Sequence, residues 1–294
     1  MRPAVVASAG RERARHASRL RRAPAVRYRA ASTFTGGVAL LQYIDPNLPK
    51  SVFGWHSPRL GLDMPVVRYG TWGHPLLLLP TAQADFLENE RFFLVKAIEP
   101  YIMAGKVQVF SIDSINKHAW MNRKLPVREA ARRQALYSGY VEHEVVPYVR
   151  SCLESPGARL AVSGASFGAF HSANLFFRRP DLFDTLIAMS GFYDLVPDYL
   201  EGYMDDNAYF NNPMSFVSHM HDHGMLETFR HHTQIHLITG QGAYEAPEAS
   251  RRFSRLLWSK GIPHNLDVWG WDVNHDWPWW RRMLDHYVGT RLGW

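Results

Sequence analysis

Residues 162–180 read VSGASFGAFHSANLFFRRP. The small-residue knot Gly164-Ala165-Ser166-Phe167-Gly168 stands between an apolar run, RLAVS (159–163), and a helix-like run, ASFGAFHSANLFFRR (165–179). Strand, then G-x-S-x-G, then helix is the pattern of a nucleophile elbow. A serine at the tip of a strand, with the chain reversing at once into a helix, is held in a sparsely populated backbone region. Side chains two positions before and after it would collide there, which accounts for Gly164 and Gly168. The turn would lift Ser166 Oγ clear of the sheet and aim the unpaired N–H groups of a helix N-terminus at the reacting carbon. The Phe167 N–H would then donate to a tetrahedral oxyanion. Five letters alone arise often by chance, so an ordinary bend serine is the competing reading, and the rest of the chain has to separate the two.

The flanking sequence alternates between strand and helix. MPVVRYG (64–70) and PLLLLP (75–80) read as strands joined by a turn at Thr71-Trp72-Gly73-His74, and the second is apolar on both faces. FLENERFFLVKAIEPYIMAG (86–105) has helical periodicity and ends at Gly105, a C-cap. KVQVFSID (106–113) reads as a strand, and 126–153 as a long helix, bent before Pro147. After the elbow come a strand TLIAMS (185–190), an irregular polar stretch to 232, a strand QIHLIT (234–239), a helix 246–261, a strand HNLDVWG (264–270) and a closing helix 277–292. This alternation predicts an α/β fold, a mostly parallel central sheet with helices on both faces. The expected organisation is a basic, disordered N-terminal extension over 1–45 and one domain over 46–294, with an irregular insertion at about 195–232.

A serine hydroxyl needs a base, and the base needs an orienting carboxylate. In this fold the order along the chain is Ser, acid, His, with the last two on loops after later strands. His275, in GWDVNHDWPWW, follows the last strand and precedes the last helix, so it is the expected base; the competing role is a cap for that helix. Glu245, after QIHLIT, is the favoured acid, with Asp194, Glu248 and Asp272 as alternatives. The second oxyanion donor is expected on the loop after PLLLLP: the Ala82 N–H, with Thr81 and Gln83 as near alternatives, since Pro80 has no N–H. Trp120 and Trp271 are placed to wall a substrate pocket near the strand ends, whereas Trp280 is expected to pack on the sheet.

Residues from about 50 to the end resemble the putative-esterase group of the α/β-hydrolase superfamily, which is related to S-formylglutathione hydrolases, feruloyl esterases and mycolyltransferases. The resemblance lies in WHSPRLGLDMPVVRYG, LLLPTAQADF, the elbow GASFGAFHSANLFFRRP and KGIPHNLDVWGWDVNHDWPWWRRML. It implies an α/β-hydrolase fold with Ser166 as nucleophile, His275 as base and a carboxylate near Glu245 as third member. Pro80-Thr81 stands where many members have His-Gly. The implied activity is that of a serine esterase of carboxylesterase or thioesterase type, working through an acyl-enzyme on a small-molecule ester or thioester. An acyltransferase with the same triad, and a non-catalytic binding module on the same fold, are the alternatives.

Composition narrows the remaining choices. The net charge is +6, but residues 1–30 hold nine arginines against Glu12 alone, which leaves 31–294 at about −2. The folded part is therefore not built for nucleic acid. A transit peptide and a polyanion-binding arm fit the basic segment less well than a plain extension does. No apolar run is long enough to span a membrane. Cys152 is the only cysteine, which excludes an intrachain disulfide and fits a reducing, cytoplasmic compartment. His219-Met220-His221-Asp222-His223 is one residue short of the metallo-β-lactamase zinc signature, and Asp205-Asp206-Asn207 lacks the spaced ligands of a calcium loop. No metal and no cofactor are expected, and the oligomeric state is not legible.

Overall fold

The computed structural model describes residues Arg29–Ala30 and 45–292. The rest of the expected basic extension lies outside the described residues. Nine strands form one sheet: β1 (Arg29–Ala30), β2 (Lys50–Ser57), β3 (Leu62–Tyr69), β4 (His74–Leu79), β5 (Val107–Ile112), β6 (Leu160–Ala165), β7 (Phe183–Met189), β8 (Gln234–Thr239) and β9 (Asn265–Val268). Their order is β1-β2-β3-β5-β4-β6-β7-β8-β9; the pairings from β5 through β9 are all parallel, while β1, β2 and β3 add on antiparallel.

The central parallel strands are mostly apolar because helices cover both faces. Every residue of β5 and β6 is buried. On one face lie Val127–Tyr140 with its continuation to Ser151, Phe167–Arg178 and Pro247–Ser259, packed over Phe110, Tyr137, Phe170, Phe176 and Phe253. On the other lie the helical segment 88–103 and the helix Trp277–Tyr287, packed over Leu76, Leu78, Ile98, Trp280 and Met283. This is the α/β-hydrolase architecture.

β3 and β4 follow one another through the expected short turn, and β5 lies between them in the sheet. The sequence reading departs from the structure in two places. The single helix expected over 86–105 is three short helices, Glu88–Arg91, Leu94–Ala97 and Glu99–Met103. Phe93, in the left-handed region at φ 63°, breaks the first from the second, and Pro100 opens the third. The apolar period survives the breaks, which is why it reads as continuous. Lastly, β2 precedes the first strand read from sequence; its outer residues are exposed or half-exposed, so it lacks a continuous apolar signal. Before Pro147 the long helix passes through a π-helical turn, Val141–Val145.

The carboxyl ends of the central strands are level. Leu79 pairs with Gly164, Ala165 with Met189, Met189 with Ile238 and Thr239 with Val268. The residues just beyond, Pro80, Ser166, Ser190 and Gly240, therefore emerge side by side along one edge.

Candidate active site

Ser166 is the N-cap of Phe167–Arg178 and has φ 57° and ψ −120°. A non-glycine residue there carries about 1–3 kcal/mol of strain. The surroundings enforce it: the Ser166 N–H donates to the Met189 carbonyl at 3.0 Å, and its own carbonyl accepts from the N–H groups of Ala169 and Phe170. The two glycines are there for close approach. A Cβ on Gly164 would lie 2.5 Å from the Gly168 carbonyl carbon, and one on Gly168 would lie 2.6 Å from the Leu79 oxygen. The Phe167 N–H, at the first position of the helix, has no intrahelical acceptor.

His275 sits between β9 and the last helix and is half-buried. It does not cap that helix. Asp276 does, its carboxylate accepting from the Trp277 N–H at 2.7 Å. The imidazole is instead fixed edge-on against Trp280, with ring centroids 4.9 Å apart. Its Nδ1 is buried without a hydrogen-bond partner among the described residues and lies 3.8 Å from Glu245 Oε2.

Hydrogen bonds lace the Glu245 loop to the His275 loop. The Gly242 N–H donates to the Val273 carbonyl, the Ala243 N–H to Asn274 Oδ1, and the His275 N–H to the Ala243 carbonyl, at 2.7–3.0 Å. The Glu245 side chain is fully buried. Ser190 Oγ donates to its Oε1 at 2.5 Å and Thr239 Oγ1 to its Oε2 at 3.1 Å, while Trp280 Nε1 donates to Ser190 Oγ at 2.9 Å. Burial alone would raise the Glu245 carboxyl; the imidazole and the two hydroxyls outweigh it and hold the group below its ordinary range.

The alternative acids are engaged elsewhere or exposed. Asp194 accepts from Asn212 and the Val196 N–H and faces Arg252. Glu248 pairs with Arg255, and Asp272 is exposed. Sequence reasoning missed Ser190 and Thr239. Their signal was slight, a hydroxyl at the end of each of two adjacent apolar strands.

On the loop after β4, the Pro80 carbonyl faces Gly168. In a trans peptide the following N–H points the other way, and the Thr81 N–H does so, donating to Glu88 Oε2 at 2.8 Å. Thr81 is therefore removed as an oxyanion donor. The Ala82 carbonyl accepts from Ser114 Oγ and Asn116 Nδ2, both at 2.7 Å. Trp120 is buried with its indole N–H on Gln134, whereas Trp271 is 79% exposed. Phe167, Phe192 and Tyr199 form a T-shaped and stacked cluster beside the elbow, with Trp120 edge-on to Tyr199 at 6.1 Å. Among the acids of the two metal-like runs, Asp205 and Asp222 are helix N-caps, accepting from the N–H groups of Ala208 and Met225.

Residues 102–290 match the family model described as Putative esterase. The chain belongs to that family. This esterase acts on carboxylic ester bonds, and solved structures of similar fold cover more than four-fifths of the chain. A ferulic acid esterase superposes with a TM-score of 0.63 at 16% identity, over 84% of this chain and 97% of that one. The S-formylglutathione hydrolase of Staphylococcus aureus gives 0.61 at 13% identity, over 83% and 96%. MPT51 of Mycobacterium tuberculosis gives 0.58 at 18%, over 81% and 95%. At these identities the likeness is one of fold. No curated protein matches the esterase at the level of sequence. Among the described residues no helix is long and apolar enough to cross a membrane.

A cavity of about 1070 Å³ lies at the opposite end of the sheet, lined by His74, Lys106, Gln108, Asp184 and Gln234. These residues stand at the amino ends of the parallel strands. Ligands of open α/β sheets bind at the carboxyl ends, the end where Ser166 follows β6 and the loops of Glu245 and His275 follow β8 and β9.

Proposed function

We propose that the esterase cleaves a small-molecule carboxylic ester through an acyl-enzyme on Ser166, with His275 as base and Glu245 as the orienting acid. The observation that carries this reading is the buried His275 Nδ1, 3.8 Å from the Glu245 carboxylate and without a hydrogen-bond partner among the described residues, on a loop laced to the acid's own. That distance exceeds a hydrogen bond; such contacts commonly tighten when substrate binds.

In the first half-reaction Ser166 Oγ attacks the ester carbonyl as the imidazole takes its proton. The carbonyl oxygen becomes an oxyanion between the N–H groups of Phe167 and Ala82. The intermediate collapses, and His275 returns the proton to the departing alcohol. Water then repeats the sequence on the acyl-enzyme, releasing the acid and restoring Ser166. Glu245 holds the imidazole in the tautomer with its proton on Nδ1 and stabilises the imidazolium. The half-buried rings of Phe192 and Tyr199 beside Phe167 favour an apolar or flat group on the substrate. A thioester would pass through the same steps.

A fluorophosphonate probe should label Ser166, and Ser166→Ala should lose both labelling and hydrolysis of p-nitrophenyl esters. Labelling that persists in the variant would sink the assignment.

A further inference from the structure

Five buried groups from separate parts of the fold are joined end to end. Trp120 Nε1 donates to Gln134 Oε1 at 3.1 Å, and Gln134 Nε2 meets His171 Nδ1 at 3.3 Å. His171 Nε2 meets Asn116 Oδ1 at 3.2 Å, and Asn116 Nδ2 donates to the Ala82 carbonyl at 2.7 Å. Gln134, His171 and Asn116 are each no more than 1% exposed.

The direction of this chain is determined by its ends. An indole nitrogen can only donate and a carbonyl oxygen can only accept. With Gln134 Oε1 taken by Trp120, its amide nitrogen donates to His171 Nδ1. His171 then carries its proton on Nε2 and donates to Asn116 Oδ1, which turns the Asn116 amide nitrogen toward Ala82. One proton arrangement satisfies all four contacts, and it requires a neutral imidazole. Burial lowers the His171 pKa to about 3, which agrees.

The chain ends on the loop assigned above to oxyanion binding. The Ala82 carbonyl also accepts from Ser114 Oγ, whose own lone pair takes the Asn116 N–H at 3.1 Å. On the other side the Thr81 N–H is held by Glu88 at 2.8 Å. The peptide that carries the Ala82 N–H thus lies between two fixed peptide planes. Sequence reading placed His171 on the elbow helix without a role and Trp120 at a pocket wall; neither residue signals this connection locally.

We propose that Trp120, Gln134, His171 and Asn116 form a one-directional hydrogen-bond relay that fixes the Ala82 backbone as an oxyanion donor, with His171 as its positioning residue. The proposal rests on the reading of Ser166 and Ala82 given above. The relay touches no substrate atom; it anchors the Ala82–Gln83 peptide by its carbonyl, and so sets the orientation of the adjoining Thr81–Ala82 peptide that carries the Ala82 N–H.

Two measurements test it. In ¹⁵N-resolved NMR of the wild-type protein, the His171 ring should show a bare Nδ1 and a protonated Nε2 from pH 5 to 9. Titration within that range, or a proton on Nδ1, would overturn the relay, whatever the catalytic serine proves to be. In kinetics, His171→Leu should lower kcat about 10- to 100-fold, less than the about 100- to 1000-fold of deleting an oxyanion donor outright, with KM changed less than about threefold. Binding of a trifluoromethyl ketone, which forms a tetrahedral adduct, should weaken by a factor similar to the loss in kcat. His171→Gln, whose amide can both accept and donate, should recover most of the loss. A folded His171→Leu with wild-type kcat, or one that weakens substrate and ketone equally, would overturn the positioning role. If His171→Leu does not fold, Trp120→Phe, which removes the first donor and keeps an aromatic ring, should show the same split at smaller size, and its absence there would equally overturn the role. Phosphonate labelling of wild-type Ser166 separates these outcomes from failure of the underlying mechanism.

Discussion

Ser190 carries more of the site than its place after an unremarkable strand suggests. Its hydroxyl donates to Glu245 and accepts from Trp280, the same tryptophan whose ring backs His275. One side chain therefore holds both Glu245 and the ring that backs His275, the acid and base of the proposed mechanism. Replacing it by alanine removes one of the groups that keep the buried Glu245 carboxyl ionised, so that carboxyl should titrate at higher pH. A protonated Glu245 cannot stabilise an imidazolium. The expected result for Ser190→Ala is a loss of about tenfold in kcat/KM at neutral pH, the worth of one hydrogen bond to a charged group. The acid limb of the pH–rate profile should also move to higher pH. A full profile against a p-nitrophenyl ester checks both, and an unmoved acid limb would count against Ser190's role.

At the scale of elements, the elbow depends on backbone packed against backbone. The carbonyls of Leu79 and Pro80 come within 2.6 and 2.9 Å of where a Gly168 Cβ would stand. Strand β4 and the elbow helix can approach this closely only because position 168 has no side chain. Gly168→Ala must displace the end of β4 or the start of the helix, at about 1–3 kcal/mol. Since the loop proposed to bind the oxyanion begins at that same strand end, phosphonate labelling of Ser166 should slow even in the fraction that folds. Gly157→Ala, with open space within 4 Å, is the control and should leave both stability and labelling near wild type. Denaturant melts and labelling rates on the pair give the comparison.

For the whole molecule, the two helical layers leave histidines buried where they cannot accept a proton. Burial lowers His171 to about 3, and burial with nearby Arg291 and His286 lowers His236 to about 4. Each folded-state value lies below the ordinary histidine value, so the unfolded chain binds more protons between the two. Stability should therefore be fully present above about pH 6.5 and fall as pH drops toward 4, by at most about 1.4 kcal/mol per pH unit for each histidine. Glu245, also held low, adds to the loss only nearer its own titration, below the ordinary carboxyl range. His171→Gln should have a flatter acid branch than wild type in urea melts between pH 4 and 7. Parallel branches would show that His171 titrates normally.

What the sequence determined by itself was local: β4, β6 and β8 from apolar runs, and the elbow from glycines flanking Ser166. His275 was legible because a single histidine stands between the last strand and the last helix. Glu245 was only favoured among four carboxylates, since its selection depends on Ser190 reaching it across 55 residues of chain. The insertion of β5 between β3 and β4, the division of the 86–105 helix at Phe93, and the path from Trp120 to Ala82 were decided by tertiary structure alone. The physical reason is common to all of them. Periodicity and steric rules act over a few residues and survive in the sequence as patterns. Strand order and buried hydrogen bonds join groups far apart in the chain, and only the packed sheet with its two helical layers brings them within reach.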